Sequence, residues 1–97
     1  MRDAPHLIVA LCDKGFLRGP GNAHFSLAYA ELFAPTLGVG TCWAGFFLLA
    51  AMSGDAPLFD VLNLPEGKTV AGALMAGFPR HRYRRLVHRN PLDVTWR

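Results

Sequence analysis

Two apolar runs in this chain predict buried strands. The first, Leu7–Cys12, follows Pro5, and the second, Thr69–Phe78, ends at Pro79. Runs of this length without polar alternation are typical of strands that are covered on both faces. A third segment, Leu92–Trp96, alternates apolar and polar residues and predicts an edge strand or an extended arm. Because a sheet of two or three strands is marginally stable, the pattern indicates that further elements complete it.

The segment between the strands predicts one long helix. We expect a loop at residues 16–21 and a helix that starts with Asn22 as its cap. Pro35 breaks or kinks the last turn, and Gly38 ends the helix. Apolar residues recur at helical spacing on one face of this helix, and further aromatic and leucine residues make its other faces apolar too. We therefore expect the helix to be buried on nearly all sides. The first set is Ala23, Leu27, Ala30, Ala34 and Leu37, and the second is Phe25, Tyr29, Leu32 and Phe33.

Two shorter helices are predicted next. One spans residues 46–52 and is closed by Gly54. The other begins at Asp55 with Pro57 in its first turn, and its inward residues are Leu58, Val61 and Leu62. Residues 64–68 form a turn. Within the second strand, Gly72 and Gly77 indicate close approach of another backbone or of a ligand.

The run LGVGTCWAGFF, residues 37–47, is the main candidate for chemistry. Gly38, Gly40 and Gly45 open the backbone to a flat or anionic ligand, and we interpret the run as a glycine loop between two buried elements. The pattern alone also fits an ordinary helix end followed by a turn. Trp43 is either part of a ligand site or a core aromatic.

The composition points to missing partners. The chain has 97 residues, enough for one domain, and 52% of them are hydrophobic against 18% charged. A small globule cannot hide that much apolar surface, so we predict that the chain dimerises or packs against a missing segment. Residues 32–52 carry no charge and could span a bilayer by length, but Pro35 and three glycines interrupt them. We therefore predict two buried elements and no membrane span.

Charge and cysteine content narrow the classes of function. A basic segment near the C-terminus is typical of a site that binds a phosphate, a nucleic acid or an acidic partner, and also of an ordinary solvated surface. It contains Arg80, His81, Arg82, Arg84, Arg85, His88 and Arg89. No Cys or His spacing predicts a metal site. We expect Cys12 and Cys42 to be free and buried, as in a reducing cytoplasm, and we recognise no signal peptide.

Four blocks in order, DAPHLIVAL, LGVGTCWAGFF, LNLPEGKTVAGALMAGFPR and HRNPLDVTW, resemble the C-terminal half of the FMN-dependent nitroreductase family. The resemblance covers residues 1–97 as one partial domain. It implies an α+β fold with a central sheet flanked by helices, left incomplete here and completed by oligomerisation or by a missing N-terminal half. It also implies an obligate homodimer with FMN bound at its interface, which transfers hydride from NAD(P)H through FMN to nitro compounds, quinones or other small acceptors.

The resemblance also implies the site residues. The backbone of Cys42, Trp43, Ala44 and Gly45 would lie along the flavin ring, with an amide near N5, and Arg89, or else Arg85, would bind the FMN phosphate. The family's basic residue two positions before the arginine is Val87 here, and its arginine-rich N-terminal motif has no counterpart. We therefore expect weak or absent FMN binding by this chain alone.

Two other classes of function compete with this interpretation. The chain could be a structural or dimerisation module that no longer binds flavin. It could also be a small basic nucleic-acid binder, but the basic segment has only Phe78 and Tyr83 for base stacking and no recognised motif, so we predict no nucleic-acid partner.

Overall fold

The computed structural model describes residues 3–54, 56–81, 84–85 and 87–97. The chain folds as a small α+β unit, as predicted, with a three-stranded sheet and helices packed against it. Its elements in order are β1 (His6–Asp13), α1 (Gly19–Phe33), a 3₁₀ turn (Ala34–Leu37), β2 (Gly40–Trp43), α2 (Gly45–Met52), α3 (Ala56–Leu62) and β3 (Lys68–Gly77).

The last strand in sequence is the centre of the sheet. The order is β1-β3-β2, and β3 pairs antiparallel with both neighbours. The prediction of a buried strand at residues 69–78 is confirmed, since β3 supplies over half of the buried apolar residues and Leu74 is fully inaccessible. The prediction that the first run is covered on both faces is wrong: β1 alternates between exposed and half-buried positions because the described chain lacks elements to cover it. The core residues are Ala23, Leu27, Ala44, Ala51, Val70, Ala71, Ala73, Leu74 and Ala76.

Helix α1 starts earlier than predicted. It begins at Gly19 with Pro20 in its first turn, so the expected loop is shorter and Asn22 is not the cap. A proline fits there because the first amides of a helix have no partner within it. The predicted break at Pro35 is confirmed, since the α-helix ends at Phe33 and continues as the 3₁₀ turn. Gly38 then closes the turn with φ 73°.

One face of α1 packs on the sheet and the rest is exposed. A Cβ on Gly72 of β3 would lie 2.8 Å from Cδ1 of Leu27, so this glycine permits the close approach that the sequence indicated. Away from this contact the expectation of burial all round is wrong. The large apolar side chains on the other faces, Phe25, Tyr29, Leu32 and Phe33, are 61–76% exposed. The sequence correctly marks them as apolar, but the described chain does not contain what would cover them.

Helices α2 and α3 follow the predicted pattern with one exception. Gly54, with φ 77°, follows α2 as expected, while the predicted start of α3 at Asp55 lies outside the described residues. Leu58 and Leu62 are half-buried, but Val61 is 83% exposed, so its inward placement is wrong. In the described part of the chain no single helix is long and apolar enough to cross a membrane; α2 and α3 pass that test only as a pair bent by 108°.

The C-terminal residues do not join the sheet. Residues 84–85 and 87–97 have no regular secondary structure and are exposed, so Leu92–Trp96 forms an arm and not the edge strand that its alternation allowed. Both cysteines are free, as predicted, but the expectation that both are buried is wrong, because Cys42 is exposed and Cys12 only half-buried.

Candidate functional site

The glycine run contains a strand, which corrects its interpretation as a loop. Gly40–Trp43 forms β2, and α2 begins at Gly45. Pairing with β3 extends these four residues, with Cys42 opposite Met75 and Trp43 opposite Leu74. The chain therefore passes from strand to helix through a single residue, and we call Trp43–Phe46 the junction.

The junction leaves some backbone amides free and occupies others. The N–H of Ala44 donates to the carbonyl oxygen of Ala73 at 2.9 Å, and the carbonyl of Ala44 accepts from the N–H of Leu48 at 3.1 Å. Ala44 is also buried, so its amide is not available to a ligand. Gly45 and Phe46 open α2, and amides in a first helical turn have no acceptor within the helix. They are the donors that the junction can offer to a ligand.

Gly45 lies beside open space and an apolar groove. A Cβ built on this residue would meet no atom within 4 Å, and its φ is not in the left-handed region. The groove has a volume of about 500 Å³. Its lining residues are Trp43, Gly45, Phe46, Leu48, Leu49 and Met52. A flat ring with an apolar face and a polar edge would suit this surface, since the groove is lined by apolar side chains and the start of α2 supplies amide donors.

Trp43 is held by α1. Its indole Nε1–H donates to Oε2 of Glu31 at 2.8 Å, and its ring meets that of His24 edge-on, with centroids 5.7 Å apart and planes at 80°. Trp43 remains 38% exposed, so it is neither a fully buried core aromatic nor a free surface residue. Sequence reasoning missed the role of Glu31. The signal that could have found it is the seven-residue spacing from His24, which places both on the same side of a helix.

Cys42 lies on the other face of the sheet. Successive residues of a strand point to opposite faces, so the side chains of Cys42 and Trp43 diverge. Cys42 contributes to a separate cavity of about 450 Å³, which we call the opposite cavity; it is also lined by Gly40, Thr41, Met75, Gly77 and Arg80. The predicted residues 42–45 are thus contiguous in backbone but line two different cavities.

Within the described residues, no ion pair holds either of the predicted phosphate-binding arginines in place. Arg85 and Arg89 are both exposed in the C-terminal arm. Among the described residues, the ion pairs are Lys68 with Asp13 at 2.6 Å and Arg80 with Asp3 at 3.9 Å, and neither predicted arginine takes part. The assignment of Arg89 and Arg85 to a phosphate therefore stays a prediction. In residues 3–54, 56–81, 84–85 and 87–97 no group of three potential metal ligands occurs.

Comparison with known proteins gives one informative result. No protein-family model matches the sequence, and no curated protein sequence matches it. Among solved structures, the chain is similar to a nitroreductase with bound FMN from Bacteroides fragilis, with a TM-score of 0.66 and 19% sequence identity. The match covers 93% of this chain and 48% of that one. The chain therefore has a nitroreductase-like fold, and it spans about half the length of this structural neighbour.

Proposed function

We propose that this chain is part of an FMN-dependent oxidoreductase of the nitroreductase type, with the flavin ring against the junction. The observation that carries the proposal is the coincidence of two features. The fold is similar to that of a protein with bound FMN, and the backbone beside Gly45 is open next to an apolar groove.

The residues of the junction fit the flavin. The apolar groove offers a surface for the ring, and the amides of Gly45 and Phe46 can donate to its polar edge. FMN, when bound, supplies the capacity to accept and donate hydride, so the protein needs no pair of acid and base residues. This chain binds and orients the ring, and Arg89, with Arg85 as second choice, attracts the phosphate. NAD(P)H and a small electron acceptor, such as a nitro compound or a quinone, are the proposed substrates.

A second copy of the chain is the proposed partner. The exposed apolar side chains of α1 give a reason to associate, because burying them removes a large apolar area from water. We propose a homodimer with the exposed side chains of residues 27–37 in its interface, while Leu27 itself stays packed against Gly72.

The two thiols support a reducing compartment. Cys12 and Cys42 are both free, and Cys42 is exposed, where an oxidising environment would favour its reaction with other thiols. We therefore assign the protein to the cytoplasm.

The proposal is tested by titrating FMN into the ¹⁵N-labelled chain and following backbone amides by NMR. Of the weak or absent binding expected from the sequence, the apolar groove beside Gly45 favours weak binding, because the chain contains a surface for the ring but few fixed partners for the phosphate. We expect a Kd of about 0.1–1 mM, or roughly −5.5 to −4 kcal/mol. The amides of residues 43–46 should shift most. Riboflavin, which lacks the phosphate, should shift the same amides, while adenosine monophosphate, which lacks the flavin ring, should not. Equal shifts with the nucleotide, or none with FMN, would favour the non-catalytic module.

A further inference from the structure

Two residues of α1 fix the position of the Trp43 ring. The Glu31 carboxylate accepts the indole N–H at 2.8 Å, and the His24 ring contacts the indole edge-on. A hydrogen bond to a charged acceptor is stronger than one between neutral groups, and edge-to-face contact is a preferred arrangement of aromatic rings. Glu31 is half-buried, and its bond to Trp43 lies at the surface of the described chain. Together the two contacts restrict both the tilt and the rotation of the indole.

The position of α1 is in turn fixed by the sheet. Leu27, three residues after His24 and four before Glu31, is buried against Gly72 of the central strand. A larger residue in place of Gly72 would collide with Leu27 and come within 3.3 Å of the His24 ring. The contact between Leu27 and Gly72 therefore fixes the distance between β3 and the side of α1 that carries His24 and Glu31. Trp43 lies next to β3 on this same face, opposite Leu74.

The position of the Trp43 ring affects the backbone of the residues that follow it. Trp43 ends β2, and only Ala44 separates it from the free amide of Gly45. Ala44 has φ −92° and ψ 63°, outside both the strand and the helix regions, so the direction of α2 depends on how the chain is held on either side of this residue. The pairing of β2 with β3 and the hydrogen bond to Ala73 hold the backbone of Ala44. Helix α1 holds the side chain of Trp43, the residue before it. Binding sites need such support, because a donor displaced by an ångström loses its bond.

We propose that Glu31 is a positioning residue for the flavin-facing junction, acting through the indole of Trp43, with His24 in support. This inference rests on the proposed function. It predicts that removing the carboxylate acceptor loosens Trp43 in the flavin-free protein and weakens flavin binding, although Glu31 itself touches no ligand.

The test uses Trp43 as its own reporter. Replacing the exposed Trp96 by phenylalanine leaves Trp43 as the single tryptophan of the chain. In that background Glu31→Leu removes the acceptor and retains the apolar part of the side chain. Glu31→Gln keeps a hydrogen-bond acceptor in place, and Glu66→Leu removes an exposed carboxylate from a distant turn as the matched control. Acrylamide quenching of Trp43 is measured without flavin, and circular dichroism checks that each variant is folded.

We expect Glu31→Leu to raise the quenching constant of Trp43 about twofold and to weaken FMN binding about tenfold. Glu31→Gln should restore most of both properties, and Glu66→Leu should change neither. Unchanged quenching in Glu31→Leu would overturn the inference, and so would increased quenching with unchanged FMN affinity. Failure of the unsubstituted chain to bind FMN is a different pattern, because it overturns the proposed function and the positioning role with it. If Glu31→Leu does not fold, Glu31→Ala, which also lacks the acceptor, takes its place in both measurements, with the same expected results and the same results overturning the inference.

Discussion

A valine at position 45 should separate ligand binding from folding. In the chain itself a Cβ on Gly45 meets nothing within 4 Å, so the larger side chain fits without a clash. Valine is favoured over glycine in helices by at most about 0.5 kcal/mol, which sets the scale of the change in the free energy of unfolding. The valine side chain would occupy the space where the ring is proposed to lie. Losing one hydrogen bond from the amide of residue 45, about 1 kcal/mol, and roughly 50 Å² of apolar contact, about another 1 kcal/mol, weakens FMN binding roughly 30-fold.

Gly21 provides the matched control for Gly45→Val. It lies in the first turn of α1, its φ is not positive, and a Cβ there also meets no atom within 4 Å. Urea unfolding should give both variants the stability of the parent within about 0.5 kcal/mol. The FMN titration by NMR should show lost shifts at residues 43–46 for Gly45→Val only. Normal FMN affinity in a folded Gly45→Val variant would refute the placement of the ring. An equal loss of FMN affinity in Gly21→Val would show that a valine at the start of either helix weakens binding, and that the effect is not specific to Gly45.

Three further substitutions test other parts of the account. Leu74→Ala, at the fully buried centre of β3, should lower the free energy of unfolding by about 2–5 kcal/mol, measured in urea; a loss below 1 kcal/mol would contradict the central role of this strand. Arg89→Ala should weaken FMN binding by about 1.5–3 kcal/mol and leave riboflavin affinity unchanged, while Arg80→Ala does little; equal effects would indicate a diffuse basic surface. Leu32→Glu on the exposed face of α1 should convert a dimer to a monomer in light scattering, and Ser26→Glu serves as the control. A parent chain that is monomeric at micromolar concentration would contradict the proposed dimer.

Local sequence signals predicted the elements that depend on local chemistry. The central strand β3 is recognisable because its apolar run is uninterrupted and ends at Pro79, and α2 because its apolar residues stop at a glycine in the left-handed conformation. Gly38 and Pro35 marked the end of α1 for the same kind of reason. These features act through the backbone of a few consecutive residues, so one sequence is enough to find them.

Apart from the start of α1, the main errors concern contacts between residues that lie far apart in sequence. The four residues of β2 have no strand pattern of their own and become extended because they pair with β3, more than thirty residues later. Within the candidate site, residues 42–45 stay a prediction of the sequence, which did not indicate the strand-to-helix junction or the hydrogen bond from Trp43 to Glu31. The exposed side of α1 shows the same limit, since an apolar pattern says that a partner surface exists but not on which chain it lies.

Intermolecular nuclear Overhauser effects between FMN and the isotope-labelled chain test the central claim most directly, because they report which protein atoms lie beside the ring. The account predicts contacts from the ring protons to Trp43, Gly45 and Phe46 in the apolar groove. Contacts from the ring to Gly40 and Met75 in the opposite cavity, or no contacts with a chain that is folded and exposed to millimolar FMN, would contradict it.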